Sequence, residues 1–139
     1  MSDAFNLQRF VDAQEPVYQR VLAELRAGSK RSHWMWFVFP QIAGLGRSET
    51  ARYFAIRSRE EAAAYLAHPI LGPRLRECCR LAIQVEGRSA HEIFGSPDDM
   101  KLRSSLTLFA AVAPHEAIFT QALRKYFNGE PDAATVEKL

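Results

Sequence analysis

Apolar positions fall at helical spacing along most of this chain. Tyr18, Val21, Leu22 and Leu25 recur at i, i+3, i+4 and i+7, one face of a helix, and Gly28 supplies its stop. Phe5 to Val11 predicts a shorter helix before it, and Pro16 fits the first turn of the second. Leu71, Leu75, Cys78, Ala82 and Val85 alternate by four and three, so Ile70 to Glu86 reads as a helix with Pro73 tolerated in its first turn. Phe119, Ala122, Leu123 and Tyr126 make another stripe, closed by Gly129.

Polar residues mark where helices begin. Ser58 with Glu61 and Ser89 with Glu92 have capping-box spacing, in which each side chain satisfies an orphan amide of the first turn. Ser96 followed by Pro97, Asp98 and Asp99 adds a preset φ and negative charge at the positive end of the helix dipole. Asp132 caps a short terminal helix. The pattern gives seven or eight helices and no strand pair, hence an all-α class, with residues 1–139 forming a single compact domain.

One segment breaks the periodicity. "WMWFVF", Trp34 to Phe39, is apolar on both faces under either period, and a lone run of this kind cannot form a sheet. It must be enclosed on most sides or leave a large sticky patch, and enclosure as a buried aromatic strap is the expectation. Its backbone then needs partners from a short helical turn or from neighbouring side chains. Pro40 ends it, and "GLG" permits unusual turns. If Trp36 is fully buried, its truncation to alanine costs about 3 to 5 kcal/mol.

Composition changes this picture little. The 47% hydrophobic and 24% charged residues are those of a globular protein. The net charge of +2 is spread over interleaved signs, which argues against nucleic acid as a partner. No apolar run approaches the roughly 20 residues of a membrane span, and "MSDAFNLQRF" lacks the layout of a secretion signal, so the expected location is the cytoplasm, away from membranes. Cys78 and Cys79 are adjacent, their α-carbons about 3.8 Å apart, too close for an ordinary disulfide. They read as buried free thiols. With no spaced Cys or His partners, neither a metal nor a cofactor is expected.

The segments "HWMWFVFPQIAGLGRSETARYFAI", "EAAAYLAHPILGPRL", "IFGSPDDMKLRSSLTLF" and "FTQALRKYFNGEPDAAT" resemble, in that order, the bacterial family known as domain of unknown function 1810. The resemblance covers nearly the whole chain from Ser32 onward. It departs at Leu106, where a methionine is common. It implies a compact, cytoplasmic, largely helical single domain with no assigned biochemical role, and the name calpastatin, attached to some members, has no support in these residues. The order of helical motifs is also similar to that of NADAR domains, associated with ADP-ribose chemistry, without a residue-by-residue match.

Candidate chemistry gathers at two places. His33, Gln41, Arg47 and Ser48 flank the strap, and burying its middle draws them toward the rim of the core. There Trp34 or Trp36 can stack on a ring while arginine holds a phosphate or carboxylate. The plainer alternative is that Trp34, Trp36, Phe37 and Phe39 fill the core while His33 and Gln41 satisfy loop backbone. "GLGRS" leads into a helix start at Ser48 whose amides, with Arg47, can cradle an anion. Second, Asp98, Lys101, Leu102, Ser105 and Phe109 share a helix face that is polar at its start and apolar at its end, suiting a pocket wall. Ser104, Ser105 and Thr107 are mediocre helix formers, which suggests close packing or a polar partner. Asp98 and Lys101 can equally form a routine i, i+3 pair.

Nucleophilic chemistry is disfavoured. A serine-lysine pair of Lys101 with Ser104 or Ser105 needs a neutral lysine, which Asp98 opposes, and no G-x-S-x-G elbow serves His33, His68, His91 or His115. Two functions remain. In one, the domain binds a small anionic, ring-bearing metabolite of nucleotide or ADP-ribose type, using Trp34 or Trp36, Gln41, Arg47, Ser48, Lys101 and Ser105, with His33 or Asp98 as acid or base if a reaction occurs. In the other it is a non-enzymatic interaction module or homodimer. Arg47 and Lys101 lining one hollow distinguishes the first.

Overall fold

Residues 3–139 are described by the computed structural model, and ten helices follow one another among them: α1 Gln8–Gln14, α2 Tyr18–Ala27, α3 Met35–Val38, α4 Glu49–Tyr53, α5 Arg59–Ala67, α6 Leu71–Gln84, α7 Ala90–Phe94, α8 Asp98–Val112, α9 Ala117–Phe127 and α10 Ala133–Glu137. The class is all-α, with one isolated parallel bridge between Ile42 and Ile56. The count exceeds the expected seven or eight because α3 is a single turn inside the strap and α4 buries none of its residues. Neither leaves a stripe to read. No helix among the described residues is long and apolar enough to cross a membrane.

The capping signals act mostly as their chemistry dictates. Ser48, Ser58, Ser89 and Asp132 each accept from the amide three residues on, and at Ser89 the Glu92 carboxylate completes the box. At Ser58 it does not. The Glu61 carboxylate is drawn instead to the Arg57 amide at 3.0 Å and the Arg9 guanidinium at 2.7 Å, because Arg9 is buried beside it. Four further details differ from the sequence reading, the first being that α1 runs Gln8–Gln14, three residues later than the expected Phe5 to Val11. Pro97, not Ser96, is the N-cap of α8, with no side-chain bond, and the two aspartates alone fill its first turn. Pro16 lies before Val17, the N-cap of α2. Asn128, at φ 56, takes the left-handed cap of α9 one residue before Gly129.

The core lies between α6, packed on α2, α5 and α9, and α8, packed on α5, α7, α9 and α10. Phe10, Leu25, Trp34, Phe39, Tyr65, Leu75, Phe109 and Phe119 are buried in it. So are the free thiols of Cys78 and Cys79, and burial pushes that of Cys78 up to about 12, so it stays protonated. The meeting of α5 with α6 depends on a missing side chain. A Cβ at Gly72 would lie 2.1 Å from the Leu66 carbonyl oxygen.

Through this core runs the strap, held at both ends. Trp34, Met35, Val38 and Phe39 are buried, whereas Trp36 and Phe37 are only partly so. The cost expected for truncating a fully buried Trp36 therefore belongs to Trp34. At its entry the carboxylate of Glu24, on α2, accepts from the Arg31 amide (2.8 Å), the Ser32 amide (3.1 Å), the Ser32 hydroxyl (2.5 Å) and the Trp34 indole (2.9 Å). In its middle, Gln14 Nε2 donates to the Phe37 carbonyl at 2.7 Å. At its exit the Ala43 amide donates to Ile56 and the Ile56 amide to Gln41, both at 2.8 Å. Arg9 adds bonds to the carbonyls of Tyr53 and Ala55. Residues 43–55, which carry α4, thus form an excursion closed at its base.

Two outcomes follow from this packing. Gly72→Ala should lower stability by about 3 kcal/mol in urea denaturation, since the clash is with backbone and cannot be relieved by a rotamer change. Burial pushes the Glu24 carboxyl up, but the Ser32, Arg31 and Trp34 donors outweigh it and hold the group near about 2, below its ordinary 4.5. A depressed folded-state value stabilises above the unfolded one, so this contribution, on the order of 3 kcal/mol, should be lost as pH falls from about 4.5 toward 2. Glu24→Gln should unfold more easily at pH 7 and show a smaller loss across that interval, as thermal melts at stepped pH will report.

Candidate functional site

Burying the strap leaves a groove of about 500 Å³ between its exit and the start of α8. Trp34 and Trp36 are two residues apart on a single helical turn, so they point to different sides. Trp34 turns inward to Glu24, and Trp36 turns outward to become part of the groove wall. Lys101, one turn into α8, places its Nζ 4.5 Å from the centre of the Trp36 ring and 3.3 Å from Asp98 Oδ1. The other Asp98 oxygen is 2.7 Å from the Nζ of Lys30, whose ammonium lies 5.1 Å over Trp34. One carboxylate therefore ties the basic lead-in of the strap to α8. A carboxylate and an indole face both attract the Lys101 cation.

The excursion of residues 43–55 supplies the facing wall. Leu45, Gly46, Arg47, Ser48 and Ala51 line the groove from it, joined by Gln41 at its base. Arg47 is exposed, and the Ser48 hydroxyl is occupied in capping α4 at 3.1 Å from the Ala51 amide. Met100, Lys101 and Ser104 come from α8 and Pro97 from its N-cap, so the lining face is rotated by about one residue from the stripe read in the sequence. Arg47 and Lys101 share this hollow.

The structure thus brings Trp36, Gln41, Arg47, Ser48 and Lys101 together and leaves out the remaining four candidates. Trp34 is 1% exposed with its indole nitrogen bonded to Glu24, so it cannot stack on a ligand. Ser105 faces the core, 1% exposed, and its hydroxyl has no hydrogen-bond partner among the described residues. Ser104 stands in the groove in its place. His33 is exposed and does not line the groove, and Asp98 is engaged by two lysines beside it.

Asp132 and Ala134, in the distant "EPDAAT" turn, complete the lining and were not anticipated. Their signal was present in the mid-helix hydroxyls of α8. Thr107 Oγ1 accepts the Asp132 amide at 2.9 Å, and Ser104 Oγ lies 3.1 Å from Asp132 Oδ2 and from the Met100 carbonyl. The polar partner that Ser104 and Thr107 called for is this turn.

The arrangement suits recognition. Two cations, one accessible indole and an apolar lining of Leu45, Ala51, Pro97, Met100 and Ala134 are the elements of a site for a molecule with a flat ring and an anion. Among the described residues no histidine lines the groove beside Ser104, and no group of His, Cys, Asp and Glu is placed to hold a metal. A second hollow of about 330 Å³, beside Phe5, Tyr53, Arg57 and Glu61, has Arg9 in its wall. That guanidinium is fully engaged by Glu61 and by the carbonyls of Phe5, Asn6, Tyr53 and Ala55.

The model of a family described as "Protein of unknown function (DUF1810)" matches residues 4–139. Among solved structures, the chain is similar to the conserved hypothetical protein Rv1873 from Mycobacterium tuberculosis, with 58% identity over 99% of this chain and 98% of that one and a TM-score of 0.97. No curated protein matches the chain.

The orphaned Ser105 hydroxyl gives a direct test of its placement. Ser105→Ala removes an unsatisfied buried oxygen without opening a large cavity, so chemical denaturation should show stability unchanged or raised by up to about 1 kcal/mol.

Proposed function

Because the chain belongs to the DUF1810 family, whose description assigns no activity, we propose from the groove alone that it binds a small, anionic, ring-bearing metabolite of the nucleotide or ADP-ribose type. The observation that carries this reading is the convergence of Arg47 and Lys101 on one hollow that also exposes Trp36. Arg47 holds the phosphate in a forked contact, with Lys101 adding charge, while the indole edge and the apolar wall take the ring. Gln41 offers an amide to either part. The volume falls within the range of small-molecule sites, roughly 300 to 1,000 Å³. The free thiols fit a reducing, cytoplasmic setting in a bacterium.

A second reading, as an interaction module or homodimer, draws on a different place. Phe5 and Tyr53 are 37% and 54% exposed, and both line the smaller hollow. An apolar partner surface would sit there and leave the groove untouched.

Arg47→Ala should leave the melting temperature nearly unchanged, because the side chain is exposed, yet abolish the stabilisation that nucleotides or ADP-ribose compounds give the wild type in a thermal-shift screen. A wild-type protein that none of these compounds stabilises, and that sediments as a dimer, would exchange the first reading for the second.

A further inference from the structure

We propose that Asp132 recognises a hydrogen-bond donor, a hydroxyl or an amine, on the ring-bearing part of the groove's ligand, so that the site selects molecules carrying an anion and such a donor together. This rests on the reading of the groove as a ligand site and names what that ligand must bring.

A helix cap needs one acceptor and one donor, and Asp132 is held far more firmly than that. Its amide is fixed by Thr107, and its Oδ2 receives the Thr135 amide at 3.1 Å, the Thr135 hydroxyl at 2.5 Å and the Ser104 hydroxyl at 3.1 Å. Thr135 is itself fully buried. Ahead of the turn, Arg103 Nε holds the Glu130 carbonyl at 2.9 Å. The Thr135 amide and hydroxyl, with the Ser104 hydroxyl whose one proton is shared with the Met100 carbonyl, converge on one oxygen and lock the carboxylate's orientation, and among the described residues none donates to Oδ1. Nor does a cation neutralise it: Lys101 pairs with Asp98, and Arg47 pairs with no described carboxylate.

The groove therefore has separate poles. An ionised carboxylate is an acceptor only, so a phosphate is repelled from Asp132 and directed to Arg47 and Lys101, while a sugar hydroxyl or exocyclic amine is attracted. Because the carboxylate is already oriented, a ligand donor meets it without further ordering of the side chain.

The surroundings of Oδ2 also define the test. The Thr135 amide cannot turn away, so in Asp132→Asn the amide oxygen must take that position and the NH2 group replaces Oδ1, exchanging an acceptor for a donor while the cap is kept. Asp132→Ser keeps the capping oxygen and removes the second one, and serves if the asparagine variant misfolds. Calorimetric titration of the wild type and both variants would use AMP, 2′,3′-dideoxyadenosine monophosphate, IMP and pyrophosphate. Both variants should bind AMP about tenfold or more weakly than the wild type and pyrophosphate at least as well. One of the two analogues should bind the wild type more weakly than AMP does and lose that disadvantage in the variants, identifying the donor as hydroxyl or amine. Equal affinity of wild type and variants for AMP, with Arg47→Ala weakened, would overturn the role of Asp132 alone, as would analogues that bind the wild type as AMP does. No binding of AMP or pyrophosphate to the wild type would remove the groove reading and this inference together.

Discussion

A single carboxylate in the wall of the core governs how the irregular part of this chain is placed. Glu24 reaches from α2 to gather two amides, a hydroxyl and an indole from Arg31, Ser32 and Trp34 at the strap's entry. Burying a charge is costly unless it is hydrogen-bonded, and four donors meet that requirement while binding a segment with no helix or sheet of its own. Because the Trp34 indole is one of the four, the largest fully buried side chain is fixed in rotation as well as depth. Trp36, on the same turn, is thereby left facing outward.

The same device recurs at two other places where the chain leaves helical structure. Arg9 and Glu61 form a buried pair that holds the return from α4, and Asp132 collects its donors in the turn before α10. Irregular backbone has no ladder in which to satisfy its amides and carbonyls, so buried side chains supply the partners. Buried pairs are poor sources of net stability, but they specify one geometry and exclude others. In a bundle of short helices, that specification brings residues from positions 36, 47, 101 and 132 to one hollow.

How much could be read beforehand follows from the range of each interaction. Ser89 with Glu92, and the stripe from Leu71 to Val85, are local and appear where the pattern puts them. The strap was legible as enclosed because "WMWFVF" has no polar face, and the sharing of one hollow by Arg47 and Lys101 followed from that. Which tryptophan faces out was not legible, since it depends on Glu24, ten residues earlier on another helix. The choice of Ser104 over Ser105 needed the rotation of α8, which packing against α5 and α9 decides. Asp132 could be seen as a cap, but its arrival beside Ser104 is a tertiary fact at a separation of 28 residues.

The groove's two walls differ in how firmly the protein holds them. On one side α8 is embedded in the core and the turn at Asp132 is fastened to it; on the other, α4 has no buried residue and depends on the bonds at the base of its excursion. Opening free energies in proteins follow such differences in anchorage, so the excursion belongs to the low-cost end of this fold's fluctuations. A molecule lodged in the groove would quiet that side most. Affinity then contains an entropic charge for stilling α4, and a cross-link that fastened the excursion in advance would make the site a tighter and less forgiving receptor.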